Sequence, residues 1–275
     1  MFPFDLWHRG RTRPALTVLF VEAFLVTLIA TGMAWLVFAA ASGLIAVFLV
    51  SLSLQDSFST LLEVNRRDIY EGRLAPYSAN AWLVFALVAV FAGCCLAFSA
   101  VAWWLPTSSL RLVFASQLEL SPVHALDLSR LTLGQFEALF LRNLSVFGLC
   151  LLVSAVFRSG GALMILAWNA SVWAVSYALL SRSTIVVGGA PVATTLLAAA
   201  GGITPHLVLE AAAYITAALV GIFVAKAVEK YRFSDARFRR VMRASLLLVL
   251  AGGVLLAIGA AAESWWPPVW FAWVL

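Results

Sequence analysis

The stretch Gly201–Lys230, "GGITPHLVLEAAAYITAALVGIFVAKAVEK", decides how the rest of the chain is read. Its apolar part, from about Thr204 to Lys226, amounts to about 33 Å of helix, enough to cross a hydrocarbon core of about 30 Å once. A histidine and a glutamate, His206 and Glu210, nevertheless stand four residues apart at its mouth, on one helical face. Thr204 is placed to cap a helix there and Pro205 to occupy its first position. Two readings stay open at this point: a polar site inside a membrane protein, or a capped helix end that tolerates these groups.

Composition settles the class. Of 275 residues, 63% are hydrophobic and 11% charged, against the roughly 25% charged content of a soluble domain. Apolar runs recur from end to end and leave no stretch for a separate soluble domain, so residues 1–275 are read as a single integral membrane domain. Cys94, Cys95 and Cys150 fall within apolar runs, where cysteine acts as a small hydrophobe, and do not describe a disulfide framework. The basic flank and apolar stretch of the first thirty residues resemble a signal peptide, but the hydrophobic run continues well beyond, and it is read as a retained first helix. The net charge of +5 marks loops facing the cytoplasm and anionic lipid rather than a nucleic-acid surface.

Working outward, residues 15–54 form two helices meeting near Gly32. Leu54, Phe58, Leu61 and Ile69 then recur at helical spacing among polar groups, predicting an amphipathic surface helix with Arg66, Arg67 and Arg73 near the head groups. A span from about Ala79 to Leu105 ends in "WWLP". Ser121 and Pro122 offer a cap and first position for a short helix. Thr132 with Gln135, and Leu131 with Phe136, predict a helix starting at about Leu133. Arg158 and the following Ser-Gly-Gly turn the chain into a further span ending at Arg182.

The segment before Gly201 is apolar but short, with Pro191 to start a helix and Gly201-Gly202 to stop it. About 15 Å of helix does not cross a bilayer, so a re-entrant or broken half-helix is expected. A last span runs from about Ala244 to Ala262, and Trp265, Trp266, Trp270 and Trp273 mark an interfacial terminus. The fold class is therefore all-α, a polytopic helical membrane protein of about seven transmembrane helices. Positive charge orients it in the cell membrane: Arg9, Arg11 and Arg13, then Arg66, Arg67 and Arg73, then Arg158, then the cluster from Lys226 to Arg243 fall on one side. This puts the N-terminus in the cytoplasm and the C-terminus outside.

Polar groups in apolar runs carry the functional question, because such groups face protein or a water-filled cavity rather than lipid. His206, Glu210, Asn143, Asn169, Arg142, Glu22 and Pro205 are the candidates, with His206, Glu210, Asn143 and Asn169 expected to converge. Three readings stand beside each other: helix-to-helix packing, a transport or binding site, and catalysis. Metal catalysis needs three protein ligands and an open position, and His206 with Glu210 supplies two. Neither HExxH nor GxSxG occurs. No cofactor, metal or nucleic acid is expected.

The ordered series "LFLRNLSVFGLC", "LMILAWNASVWAV" and "GGITPHLVLEAAAYITAALVG" resembles the stage II sporulation protein M family of membrane proteins over residues 135–232. The family's motif positions correspond to Asn143, Asn169, Pro205, His206, Glu210 and Gly221. Leu207 and Ala170 stand where the family usually has glycine, which places the chain on a distant branch. The resemblance implies a multi-span protein that, in sporulating bacteria, joins a septal peptidoglycan-remodelling complex whose partners carry the hydrolase chemistry. The expected function is a non-enzymatic membrane component that binds or scaffolds a partner or lipidic substrate through a polar intramembrane site. A transporter or channel for a small or lipidic solute is the alternative, and an intramembrane hydrolase a further one. Membrane lipids, a homodimer through the small-residue faces of "AAAYITAALVG" and "GALMILAWNA", and a membrane or cell-envelope protein are the expected partners.

Overall fold

The computed structural model describes residues 13–38, 40–119, 133–188 and 192–274, and every regular element in it is a helix. Eight follow in order: α1 (Leu16–Val37), α2 (Ser42–Tyr70), α3 (Pro76–Trp104), α4 (Thr107–Val113), α5 (Ala115–Glu119), α6 (Leu133–Gly188), α7 (Val192–Lys230) and α8 (Ala236–Val274). Six helices, all but α4 and α5, are long and apolar enough to cross a membrane. The chain is thus an all-α, polytopic membrane protein. Arg9, Arg11, Ser121, Pro122, Leu131, Thr132 and Pro191, to which the sequence assigned roles, lie outside the described residues.

The helices cluster into two compact units, one of residues 1–121 and 166–175, the other of 122–165 and 176–275. In the first, α1 packs on α2 and α3. Gly93 makes the α1/α3 approach possible, since a Cβ there stands 2.4 Å from the Phe20 carbonyl oxygen, closer than atoms allow. Residues 166–175 join this unit through an edge-to-face contact of Trp173 with Phe91, centroids 4.9 Å apart, and a hydrogen bond from Gln117 to Ser171.

The break between α1 and α2 is not at Gly32. α1 runs through that glycine to Val37, and α2 begins after Ala41, which holds a left-handed φ of 60°. A lone glycine costs a helix only about 1 kcal/mol, and Gly32 has open space around it. Nor is the amphipathic stretch a separate helix: it is the second half of α2. Its Leu54, Phe58 and Leu61 are buried, so this face packs against protein.

In the second unit α6 folds back on itself. Arg158 departs from helical geometry at φ 54°, ψ −127°, and a Cβ on Gly161 falls 2.3 Å from the Val153 carbonyl oxygen. Eight residues of straight helix separate such groups by about 12 Å, so the chain reverses at Arg158, where the sequence expects the turn, between a first limb, 133–157, and a second that begins at 159. α7 and α8 pack extensively on each other. Phe147, Cys150, Ile165, Ala213, Tyr214, Ala217 and Leu256 make the core between them and α6. Gly221 lets α7 meet α6, its added Cβ lying 2.5 Å from the Leu151 carbonyl oxygen. The small residues Ala213, Ala217 and Gly221 are therefore used inside the unit.

α7 corrects the expected break at Gly201-Gly202. One helix continues from Val192 through both glycines and Pro205 to Lys230, so Thr204 is not an N-cap and Pro205 is not a first position. Proline lacks an N–H and leaves the carbonyl four residues earlier, that of Gly201, without its helical donor. Trp266 of α8 supplies one: its indole N–H donates to the Gly201 carbonyl at 2.6 Å. Trp270 donates to the Ala198 carbonyl at 3.0 Å, and the two indoles stack with centroids 5.7 Å apart. Two of the four tryptophans expected at an interface thus hold α7, while Trp265 and Trp273 are exposed.

Candidate functional site

The site grows from Glu210, whose side chain is buried on α7 one turn beyond His206. A carboxyl group removed from water is costly unless donors meet it. Asn143, on the first limb of α6, supplies one, its Nδ2 donating to Glu210 Oε1 at 2.7 Å. The other end of the same amide accepts from the Tyr214 hydroxyl at 3.2 Å. Tyr214 lies four residues after Glu210, so both α7 groups face the same asparagine. Only one orientation of the amide serves a carboxylate and a phenol together, which fixes its Nδ2 and Oδ1.

α8 completes the surroundings. Its Gly259 faces the turn 206–210, where an added Cβ stands 3.6 Å from Glu210 Cγ and 3.7 Å from the His206 carbonyl oxygen. One turn on, Glu263 lies within electrostatic range of Glu210, and so does Arg142, which neighbours Asn143. A second acid beside a buried carboxyl group raises the cost of charge there, and a single exposed arginine offsets part of it.

His206 is buried as well, and its Nδ1 has no hydrogen-bond partner among the described residues. Glu210 takes its hydrogen bond from Asn143 and none from His206. The shared face therefore places the two residues in succession along one wall without joining them. Pro205 acts one step away, through the Gly201 carbonyl that Trp266 holds.

The remaining candidates belong to the first unit. Asn169 belongs to residues 166–175, which count with the first unit. Glu22 is buried in that unit on α1 and accepts from the Ser57 hydroxyl at 2.8 Å. A second polar group lies there too: Arg13 donates to Asp68 at 2.8 Å and to Asn65 at 3.2 Å, and stacks over Trp82 at 4.7 Å. These contacts are mutually satisfied and tie the start of α1 to the end of α2.

Tyr214 and Glu263 were not among the sequence candidates. Tyr214 was legible by spacing, four residues beyond Glu210. Glu263 lay beside tryptophans read as interfacial. Among the described residues, no three His, Cys, Asp or Glu side chains come together as a metal site. What the arrangement offers chemically is an acceptor-rich polar cluster: two carboxyl groups and an imidazole nitrogen, with a fixed amide between acid and phenol. In comparisons with protein-family models, curated proteins and solved structures, none matches the chain.

Proposed function

We propose that this chain is a non-enzymatic, multi-span membrane protein that binds a partner or lipidic molecule at the polar site around Glu210, as a distant member of the stage II sporulation protein M family. One observation carries the reading: among the described residues, Asn143 and the exposed Arg142 offset only part of the polar cost of the site. Glu210 has one amide donor and a second acid in range, and His206 keeps a buried nitrogen without a partner among the described residues. Helix-to-helix glue needs no carboxyl group, since amides and hydroxyls give about 0.6–2 kcal/mol per bond. The ordered series Asn143, Asn169 and Pro205-His206…Glu210 is the ground for the family. A broken half-helix would favour transport by presenting its ends as ion sites, and α7 instead runs unbroken through Gly201-Gly202.

A photo-crosslinking residue at Leu207, which is partly exposed and lies three residues before Glu210 on its side of the helix, tests the reading in native membranes. Adducts of one defined mass are expected, lost in both E210Q and H206A while the two variants fold and melt like the parent. Adducts unchanged by E210Q, or loss of folded protein in both variants, would sink it.

The proposed topology has seven crossings, α6 contributing one per limb, with the N-terminus cytoplasmic and the C-terminus outside. Two ion pairs support it. Arg158 meets Glu229 at 3.0 Å, bringing the α6 turn to the end of α7 that carries the basic cluster. Arg13 meets Asp68 at 2.8 Å, bringing the basic start of α1 to the basic end of α2. Cysteine labelling at positions 130 and 235 is expected from opposite sides, and labelling from the same side removes the arrangement.

A further inference from the structure

Residues 226–243 hold seven basic and two acidic residues, a net +5 that equals the charge of the whole chain. Both acids are engaged: Glu229 pairs with Arg158 at 3.0 Å, and Asp235 with Arg237 at 3.1 Å. Asp235 caps the start of α8 and the first turn after it contains no acid, so this one carboxylate, already held by Arg237, stands against Arg239, Arg240 and Arg243 on the same helix. Only residues 231–235 separate α7 from α8, too short a loop to lift this charge away from the membrane surface. Phe233, in that loop, is 74% exposed.

The charge is continuous with an apolar strip. Arg240, Arg243, Leu247, Leu250 and Val254 succeed one another at three- and four-residue steps, hence on one face of α8. The two leucines and the valine are 68%, 58% and 59% exposed. From Arg240 to Val254 the helix rises about 21 Å, which spans a head-group layer and one leaflet of a core about 30 Å thick. A soluble anion has use for the arginines alone. A phospholipid has use for both parts.

We propose that this end of α8 is a docking surface for an anionic phospholipid, its phosphate on the arc of Arg239, Arg240 and Arg243 and an acyl chain along Leu247, Leu250 and Val254. The test uses the full chain in nanodiscs of equal parts phosphatidylglycerol and phosphatidylcholine, with retained lipids counted by native mass spectrometry. The parent is expected to retain the anionic lipid preferentially. R239Q/R240Q/R243Q is expected to lose that preference by about fivefold per arginine at low salt, with unchanged melting in purely zwitterionic discs. L247S/L250S is expected to weaken retention of phosphatidylglycerol while leaving displacement by inorganic phosphate no easier than in the parent. Equal retention of both lipids by the parent, a preference that survives the triple substitution, or full displacement of the lipid by millimolar inorganic phosphate would overturn the proposal.

Discussion

The indole of Trp266 donates to the Gly201 carbonyl at 2.6 Å, the acceptor that Pro205 leaves without a helical partner. W266F removes the donor and strands a partly buried carbonyl, at a cost of about 2 kcal/mol. In a P205A background the alanine introduced there carries an N–H that restores the helical bond to Gly201, and the same tryptophan change is expected to cost less than about 1 kcal/mol. A double-mutant cycle from denaturant unfolding in detergent measures the difference, and additive losses contradict the assignment.

Gly221 and Gly148 separate close approach from mere tolerance. An added Cβ at Gly221 meets the Leu151 carbonyl oxygen at 2.5 Å, whereas one at Gly148 meets nothing within 4 Å. G221A is expected to force α7 from α6 at a cost of about 1–3 kcal/mol, and G148A to gain about 1 kcal/mol of helix propensity. Melting temperatures that fall together in the two variants would refute the distinction.

Arg158 sets strain against an ion pair. Its φ of 54° with ψ of −127° is a conformation natural to glycine, with a cost on the order of 1–3 kcal/mol. Its pair with Glu229 is half exposed and contributes about 0–1 kcal/mol. R158G is therefore expected to raise the melting temperature, while R158A, which keeps the strain and loses the pair, lowers it.

Asp235 caps α8, its carboxylate accepting from the Arg237 backbone N–H at 2.8 Å and from the Arg237 guanidinium. The backbone bond, then the side-chain bond and neighbouring arginines, hold its carboxyl below the ordinary aspartate value. Because the folded value is depressed, its stabilisation is present above the unfolded value and is lost as pH falls through the folded one. D235N is expected to flatten the acid side of the stability profile in a pH series of melts, and an identical slope in both proteins argues against the cap.

Hydropathy made the long helices legible, and the Arg158 turn could be read because a polar Arg-Ser-Gly-Gly interrupts an apolar run. Gly32 and Gly201-Gly202 misled for one reason: a glycine permits a break without requiring one, and tertiary contacts decide. At Gly201 the deciding group stands sixty-five residues away, in Trp266. Spacing put His206 and Glu210 on one face but carried no information on which neighbour fills the carboxyl group's hydrogen bond. That depended on how α6 packs against α7, and Asn143 is where the packing delivers a donor. Asn169 has the same chemistry as Asn143 on the other limb of α6, yet its segment packs with the other unit.

The double commitment of Asn143 also bears on protons. Its amide stands between the Tyr214 hydroxyl and the Glu210 carboxyl group, taking a hydrogen bond from one and giving a hydrogen bond to the other. An amide in this position accepts and donates without releasing a hydrogen, so it conducts polarisation and blocks hopping. With Oε1 occupied, any proton that Glu210 takes up rests on Oε2. Asn143 is thus an insulator built into a polar row: Tyr214 can stiffen the acid's surroundings, but exchange with Glu210 must come by way of its second oxygen.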